Sequence, residues 1–355
     1  MTWAFSAGHL RRWVRVELAR TGIAGEVLRC QSAGDRDVTS VCAVVVTYNR
    51  KLMLERCLAA LAAQTVPVSH IVIIDNGSSD GTAAMLARRE ETNLLITSLP
   101  VNTGAAGGFS TGVKRAYETG ADGIWVMDDD VFPDPDALEE LLRAQARLIE
   151  RDAPFAFLVS VARSSRGQLT EVPDIDRRPN GIGFPGWPEW IEEALIPVRG
   201  ATFASILLPR ETLRHHGLPI ASMFIFGEDR EFTVRVTQDR PGFLVGRSKV
   251  VHARKIEGVL DIWTETDRTR LGYQWYLHRN TTSTVLRYER KRQFAYHLMQ
   301  QADTAFRLAM RGRLRRCWVV VSATLAGLRF RPAIEALEGF ASPSRSPSLP
   351  QPSKG

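Results

Sequence analysis

The sequence contains few cysteines, and their spacing fits neither a disulfide framework nor a zinc site. Among 355 residues there are four, Cys30, Cys42, Cys57 and Cys317, and no two of them form a CxxC pair. Cys42 and Cys57 lie among apolar residues, which indicates buried free thiols. This usage of cysteine suits a reducing cytosol.

Long apolar segments are also missing. The longest apolar run, residues 317–328, has basic residues on both sides and is 12 residues long, whereas a transmembrane helix needs about 20. The first residues lack the apolar stretch of a signal peptide, so we do not expect secretion. These absences predict a cytoplasmic protein that does not cross the membrane.

The common glycine-rich nucleotide motifs are absent, and so are internal repeats. Neither GxGxxG after the first predicted strand nor GxxxxGK[ST] occurs, which argues against nicotinamide binding and a P-loop. The formal charge is +7, with a pI of about 9.5, which fits nucleic acid, anionic membrane or phosphorylated substrates. Because basic and aromatic residues do not interleave, we expect no nucleic-acid partner.

From residue 41 onward, short apolar runs alternate with helical patterns. Such alternation predicts βαβ units and a parallel sheet. A polar cluster follows each of three runs directly, at residues 47–50, 75–81 and 128–130. Ligands bind beyond the carboxyl ends of strands in open α/β sheets. We therefore expect these three clusters to meet at one edge.

The cluster Asp128-Asp129-Asp130 is the clearest candidate site. Neighbouring carboxylates raise one another's pKa unless something positive compensates them, and Mg²⁺ or Mn²⁺ takes carboxylate and phosphate oxygens together. On an extended segment Asp128 and Asp130 point the same way while Asp129 faces elsewhere. The alternative is a solvated acidic turn, because Asp134 and Asp136 continue the acidity.

A second acidic cluster, Glu228 to Glu231, follows the apolar run 223–226. A metal at the first cluster suggests a diphosphate donor, whose transfer reaction needs a base for the acceptor hydroxyl. We assign this role to Asp229, with Glu228 and Glu231 as supporting or acceptor-binding groups. The alternative is an acidic first helical turn that complements the helix dipole.

His252 and a glycine-rich loop complete the candidate residues. His252 ends a strand-like stretch and is a candidate third metal ligand, unless it is an ordinary surface histidine. The loop at residues 102–109 opens a helix, where bare backbone amides can approach a phosphate or a sugar. We place Asn102, Gly107 and Gly108 in this binding role.

The chain divides into four predicted regions. We expect an N-terminal extension at residues 1–40, an α/β catalytic domain at 41–260, a basic helical region at 261–341 and a disordered Ser- and Pro-rich tail at 342–355. Arginine clusters beside an apolar run suit the anionic inner face of a membrane. The alternative is a solvated bundle used for packing or oligomerisation.

These motifs resemble those of the family 2 glycosyltransferases, which are inverting enzymes with the GT-A fold. The resemblance covers about residues 41–255 and rests on VVVTYNR (44–50), IVIIDNGSSDGT (71–82), NTGAAGGF (102–109), WVMDDD (125–130) and FIFGEDREF (224–232). It implies a Rossmann-like, mostly parallel central sheet flanked by helices, with a C-terminal helical region.

The resemblance also implies roles for individual residues. Thr47, Asn49 and Asp75 would hold the uridine of the donor. Asp128 and Asp130, with His252, would coordinate Mn²⁺ or Mg²⁺ and the diphosphate, and Asp128 and Asp129 would line the nucleotide-sugar site. Asp229 would deprotonate the acceptor, giving inversion in one displacement. Trp187 and Trp190 would stack on sugar faces, with buried packing as the alternative for each.

Within the family, the aspartate triplet, the GAAGGF loop and the late histidine resemble bacterial galactofuranosyltransferases. These transfer galactofuranose from UDP-galactofuranose to a lipid-linked acceptor in cell-wall synthesis. A rhamnosyltransferase using dTDP-rhamnose is the second interpretation. Phe226 and Glu228 depart from the expected tryptophan and aspartate, which bears on the acceptor more than on the chemistry.

Two other classes are weaker interpretations. A nucleotidyltransferase would carry a glycine-rich, lysine-bearing loop where Thr47-Tyr48-Asn49-Arg50 stands. An inactive carbohydrate-binding homologue would not need both acidic clusters intact. We therefore predict a metal-dependent glycosyltransferase that is peripheral to the inner face of the membrane. Whether it forms a homo-oligomer is left open by the sequence.

Overall fold

The computed structural model describes residues 39–254 and 261–337. Predictions for the N-terminal extension up to residue 38, for Cys30 and for the tail at 342–355 concern residues outside these ranges. The domain boundaries predicted from the sequence stay predictions.

The described residues form a single sheet of 11 strands. Its strands are β1 (Val41–Thr47), β2 (His70–Asp75), β3 (Leu94–Ser98), β4 (Gly123–Asp128), β5 (Val131–Pro133), β6 (Leu158–Arg163), β7 (Leu169–Thr170), β8 (Asp174–Ile175), β9 (Leu195–Gly200), β10 (Ile206–Pro209) and β11 (Gly242–His252).

Helices cover the sheet and follow it in the chain. The α-helices are α1 (Lys51–Ala62), α2 (Thr82–Leu86), α3 (Gly104–Glu118), α4 (Ala137–Glu150), α5 (Arg210–His216), α6 (Glu228–Val236), α7 (Arg268–Tyr288), α8 (Lys291–Met310) and α9 (Leu314–Arg329). Two 3₁₀ helices span Trp187–Glu193 and Ala221–Met223.

The sheet has two halves with different strand directions. Its order is β3-β2-β1-β4-β10-β6-β11-β9-β8, with β5 paired to β11 and β7 to β6. Strands β1 to β4 are parallel to their neighbours within this group. Strand β10 is antiparallel to both β4 and β6, so the second half is mixed. The predicted α/β architecture is confirmed, and the parallel character belongs mainly to the first half.

Both faces of the sheet are buried, which explains the continuous apolar runs of its parallel strands. Trp125 and Met127 of β4 point into a core with α1 and α4. The alternating residues Ile124 and Val126 point into the opposite core with α3 and α6. Strand β4 is therefore fixed from both sides, and its polar C-terminal end projects from a rigid support.

Helix α3 lies unusually close to β1 because glycines face the strand. A Cβ atom on Gly108 would lie 2.5 Å from Val46 Cγ1, and one on Gly112 would lie 2.5 Å from Val44 Cγ1. These two glycines are one helical turn apart, and the two valines lie on one face of the strand. The contact fixes the start of α3 at the same edge as the polar clusters.

The three C-terminal helices form a small core of their own. Its buried residues include Leu271 of α7, Leu308 of α8 and Val320 of α9. Within the described residues, no helix is long and apolar enough to cross a membrane.

Substitution of Gly108 by alanine tests the packing of α3 on β1. We expect Gly108→Ala to lower the free energy of unfolding by about 1–3 kcal/mol, because the added methyl group overlaps Val46. The matched control is Gly272→Ala in α7, where a Cβ meets no atom within 4 Å. That variant should gain about 0.5–1 kcal/mol from helix propensity. Urea unfolding measures the stability of both variants. If Gly108→Ala were as stable as the control, the close packing of α3 on β1 would be contradicted.

Candidate active site

The strand register brings the three polar clusters together. Thr47, the last residue of β1, pairs with Asp75 at the end of β2. On the other side of β1, Val46 pairs with Asp128 at the end of β4. Side chains after three neighbouring strands therefore share one edge, as expected for a ligand site of an open α/β sheet.

His252 reaches this edge through a second strand pairing. Strand β5 starts immediately after the aspartate triplet and runs antiparallel to β11, with Val131 opposite His252. The Ala253 amide donates to the Asp130 carbonyl at 2.8 Å. As a result, His252 Nε2 lies 3.1 Å from Asp130 Oδ1, although the two residues are far apart in the chain.

Asp128, Asp130 and His252 form a cluster that fits a divalent cation. One ligand atom from each lies within 4.8 Å of the other two. Asp130 and His252 are buried, and apart from the contact with His252 Nε2, Asp130 Oδ1 has no hydrogen-bond partner among the described residues. Two carboxylates and an imidazole suit Mn²⁺, and they accommodate Mg²⁺ through the oxygens.

Asp129 faces away from this cluster and is held by the end of β1. Its Oδ2 accepts a hydrogen bond from Thr47 Oγ1 at 2.7 Å, and its Oδ1 lies 3.3 Å from Arg50 Nη1. The same Arg50 nitrogen forms an ion pair with Asp130. Asp129 thus links β4 to β1, and in this arrangement the Thr47 hydroxyl is committed to Asp129.

Negative charge is incompletely compensated at the triplet. Burial, together with the neighbouring Asp130, raises the pKa of Asp128 to about 7. Burial also raises the pKa of Asp129 to about 6, against the opposing effect of Arg50. For Asp130 burial acts in the same direction, but His252 and Arg50 outweigh it and lower the pKa below its usual value. A divalent cation would relieve the remaining repulsion.

Glu171 stands behind His252. Its Oε1 lies 3.6 Å from His252 Nδ1 and accepts a hydrogen bond from Arg254 at 2.9 Å. Burial alone would lower the pKa of His252, but Asp130, Asp128 and Glu171 outweigh it and raise the pKa. A carboxylate on the far ring nitrogen also orients an imidazole toward a metal.

The residues predicted to hold the uridine lie at turns beside the triplet. Asp75 Oδ1 accepts from the Ser78 amide at 3.0 Å. Asn49 Oδ1 accepts from the Ser79 amide at 2.7 Å, and Asn49 itself has a positive φ of 54°. These bonds fix the turns after β1 and β2 against each other. No contact in the structure tests uridine binding, which stays a prediction.

The predicted glycine-rich loop is largely the first turns of α3. Asn102 Oδ1 accepts from the Gly104 amide at 2.8 Å, just before the helix begins. Gly107 and Gly108 are buried within the helix, where a Cβ on Gly107 would lie 2.4 Å from Thr103 Oγ1. Close packing therefore already requires glycine at both positions. The sequence had suggested a different reason, namely the approach of a phosphate or a sugar to bare backbone amides.

The second acidic cluster forms the first turn of α6. Asp229 is partly exposed, and burial raises its pKa to about 6 against a hydrogen bond from the Arg230 amide. Glu228 is buried, and its Oε2 has no hydrogen-bond partner in the described residues. Burial, followed by repulsion from Asp229 and Asp128, raises the pKa of Glu228 well above its usual value. Because the charge of Asp128 contributes to the raised pKa of Glu228, the second acidic cluster and the candidate metal ligands interact electrostatically.

Glu231 points into the core of the molecule. It is fully buried, and its Oε1 accepts from Tyr288 Oη at 2.7 Å and from Arg235 Nε at 3.0 Å. These contacts join α6 to α7. Of the two roles predicted for Glu231, the structure favours support over contact with an acceptor.

Trp187 and Trp190 lie in the first 3₁₀ helix. The Trp190 ring packs edge-on against Phe243 with 5.0 Å between centroids, and Arg151 covers it at 4.4 Å. Phe243 pairs with Leu158 and Val251 with Arg163, so Phe243 and His252 are separated by roughly 17–20 Å along the sheet. The packing alternative is therefore favoured for Trp190. Trp187 is partly buried three residues earlier in the chain.

Sequence reasoning did not single out Arg50, Asn76 or Glu171. Asn76 accepts from the Thr103 amide and hydroxyl, both at 2.9 Å, and donates to the Gly104 carbonyl. Arg50 and Asn76 each follow a strand within a motif that was noticed, so their positions alone could have marked them. Glu171 follows no such pattern in the sequence.

Comparison with known proteins agrees with this geometry. Residues 42–160 match the family described as Glycosyl transferase family 2. About a third of the chain is therefore similar to this enzyme family, in agreement with the resemblance of the sequence motifs.

Two relatives are galactofuranosyltransferases named GlfT1. The protein from Mycobacterium tuberculosis strain H37Rv is 30% identical over 210 residues, which are 56% of this chain and 64% of that protein. The protein from Mycolicibacterium smegmatis is 36% identical over 103 residues, 29% of this chain and 34% of that protein. The chain thus matches less than two thirds of the length of these relatives.

A solved structure of GalNAc-T7 with UDP, GalNAc and Mn²⁺ has a similar fold. The TM-score is 0.52 at 15% sequence identity, and the match covers 71% of this chain and 48% of that one. The predicted GT-A fold is confirmed by this likeness.

Mn²⁺ titration tests the Asp128–Asp130–His252 cluster. We expect Asp130→Asn and His252→Ala each to weaken Mn²⁺ binding by roughly tenfold or more, because each removes a ligand atom. The control is Asp136→Asn, which removes an exposed carboxylate of the same acidic segment. Calorimetry without any nucleotide provides the readout. Equal Mn²⁺ affinity in all three variants would exclude this metal site.

Proposed function

We propose that the protein is an inverting, metal-dependent glycosyltransferase that transfers galactofuranose from UDP-galactofuranose to a lipid-linked acceptor. The observation that carries the proposal is the Asp128–Asp130–His252 cluster at the ends of β4 and β11, which would hold a divalent cation. A partly exposed carboxylate, Asp229, starts α6. Burial raises its pKa, and so does Glu171, which also lies beside His252.

Asp128, Asp130 and His252 would hold the cation, which supplies positive charge for the departing diphosphate. Arg50 and Thr47 keep Asp129 turned away, so two carboxylates are presented together. Asp75 and Asn49 shape the adjacent turns, where the uridine would bind. The donor would thus lie across the ends of β1, β2 and β4.

Asp229 suits the role of general base better than Glu228. A base works best when its pKa lies near the working pH, and Asp229 has a pKa of about 6. Its partial exposure leaves it accessible to an acceptor hydroxyl. Glu228 is buried, and burial raises its pKa well above its usual value, so it is less accessible to an acceptor and less suited to the role of base.

The donor sugar is supported by the relatives and not by the geometry. Both relatives described above are named galactofuranosyltransferases, and the longer match covers 210 residues. A deoxysugar donor such as dTDP-rhamnose would use the same metal site and the same base. The identity of the donor sugar must therefore be decided by measuring turnover with different nucleotide sugars.

A donor panel with two matched variants tests the function. With Mn²⁺ and a lipid-linked acceptor, we expect sugar transfer and UDP release from UDP-galactofuranose above any other donor. Asp229→Asn should reduce transfer by at least about 100-fold, because it removes the base. Glu228→Gln should retain much more activity, because the buried Glu228 is not the proposed base and glutamine keeps its size.

Each outcome of this panel has a separate meaning. No transfer from any donor would contradict the enzyme proposal, and a preference for dTDP-rhamnose would contradict the donor. If Asp229→Asn kept near-normal turnover and Glu228→Gln lost it, the general base would be Glu228 and not Asp229. Donor affinity, measured by calorimetry, should be similar in both variants because neither residue belongs to the metal cluster.

We also propose that α8 and α9 rest on an anionic membrane surface, where a lipid-linked acceptor is found. Both helices expose large apolar side chains on one face, namely Tyr296, Met299, Phe306 and Met310 on α8 and Leu314, Trp318 and Leu325 on α9. An apolar helix face rimmed by basic residues lies in the interface of a bilayer.

The charge of this segment favours a lipid surface over a second copy of the chain. Between residues 291 and 329 there are eight Lys and Arg residues and one acidic residue, Asp303. Two such surfaces would repel each other, whereas each exposed cation near an anionic membrane contributes to attraction. Arg311 and Arg313 lie in the turn between the two helices.

Vesicle binding tests the membrane proposal. We expect the protein to bind vesicles containing phosphatidylglycerol and to bind pure phosphatidylcholine vesicles much less. Phe306→Ala and Trp318→Ala should each weaken binding by roughly tenfold, because they remove apolar area that enters the interface. Leu52→Ala is the control, since Leu52 is an exposed apolar residue on α1. A stable dimer in solution that both helix variants disrupt would instead indicate self-association.

A further inference from the structure

The segment just before α6 has an unfavourable backbone conformation. Phe224 has a φ of 66° and Phe226 a φ of 63°, both in the left-handed region, and Gly227 follows at 90°. Aromatic residues rarely adopt such angles, and they persist only where surrounding contacts enforce them. We call residues 223–227 the pre-α6 loop. It leads directly into Glu228 and Asp229.

One side chain from the C-terminal helices binds much of this loop. Asn280 of α7 is fully buried, and its Nδ2 donates to the carbonyl oxygens of Met223 at 3.0 Å and Phe226 at 2.7 Å. A third, longer contact reaches the Ile225 carbonyl at 3.3 Å. A single amide group thus satisfies carbonyls along the whole turn.

The orientation of the Asn280 amide is fixed by its neighbour. Arg279 Nε and Nη2 donate to Asn280 Oδ1 at 2.9 and 2.8 Å. Because a guanidinium has only donors, the oxygen must face Arg279 and the NH₂ group must face the loop. Arg279 Nη2 also donates to the Ser222 and Met223 carbonyls at 3.1 Å.

The other side of the loop rests on α3. The Phe224 carbonyl accepts from the Ala106 amide at 3.0 Å. A Cβ on Gly104 would lie 2.0 Å from that carbonyl oxygen, so glycine is required for the approach. Gly104 in turn is held by Asn76 at the end of β2. The loop is therefore clamped between α7 and the donor side of the sheet.

We propose that Asn280 is a positioning residue that fixes Asp229 relative to the metal cluster. The side chain touches neither proposed substrate, and it acts through the carbonyls of the pre-α6 loop. Without the Nδ2 donor, the left-handed residues would lose the contacts that enforce them, and the start of α6 would shift. This inference rests on the proposed function for its catalytic meaning, but the clamp itself can be tested separately.

Two substitutions at Asn280 and one control on the same helix test this role. Asn280→Ala removes the amide, and Asn280→Asp keeps its size but loses the N–H groups. The control is Thr282→Val, which removes a buried hydrogen bond between α7 and His297 Nε2 of α8 at 3.0 Å. Because this bond joins α7 to α8 and not to the loop, the control reproduces a loss of helix anchoring only.

We expect both Asn280 variants to lower kcat by roughly 100-fold, since small misplacements of catalytic groups cost about this much. Mn²⁺-dependent donor affinity should change by less than about threefold, because the metal cluster is held by β4 and β11 and does not use this loop. Amide hydrogen exchange in the peptide 221–231 should accelerate in these variants. Thr282→Val should alter neither kcat nor this exchange, even where it lowers Tm.

Three results would overturn the proposal. The first is unchanged kcat and exchange in Asn280→Ala. The second is a parallel fall of kcat and donor affinity that merely follows Tm, and the third is the same kcat loss in Thr282→Val. If the wild-type protein transfers no sugar, the proposed function fails instead. Hydrogen exchange at 221–231 then still decides whether Asn280 holds the loop.

Discussion

Repulsion among three adjacent carboxylates, two of them buried, is the interaction around which this site is organised. Each ionised group at the end of β4 makes ionisation of the next more costly. Thr47 and Arg50, from the neighbouring strand end, draw Asp129 to one side, and His252 stands against Asp130 on the other. What remains is an oxygen- and nitrogen-lined cluster short of positive charge, and a divalent cation there would offset the remaining repulsion.

The supporting contacts connect this cluster to the rest of the molecule. Glycines bring α3 against β1, Asn76 holds the start of α3, and the Phe224 carbonyl rests on that start. Asn280 then closes the loop from the side of the C-terminal helices. The base candidate and the metal cluster thus share a rigid frame, which is what preorganised catalysis requires.

Much of the first half of the fold was predictable, because parallel strands buried on both faces give continuous apolar runs and end in polar clusters. The outward turn of Asp129 follows from the two-residue period of a strand. Other features depend on long-range register. Nothing near Glu171 signals that it will face His252, and the inward direction of Glu231 depends on where α6 begins, which Gly227 decides. Trp190 was ambiguous because stacking on a sugar and packing on Phe243 call for the same residue type.

The pairing of β5 with β11 divides the candidate site between two parts of the chain. The segment that matches the family, residues 42–160, contains the aspartate triplet but ends before His252 and Asp229. The later half contributes one candidate metal ligand through strand register and the base candidate through a loop anchored by α7. The two parts therefore cannot vary independently. A shift in the register of β5 and β11 would move His252 away from Asp130, whereas a change in α7 would act on the loop before α6.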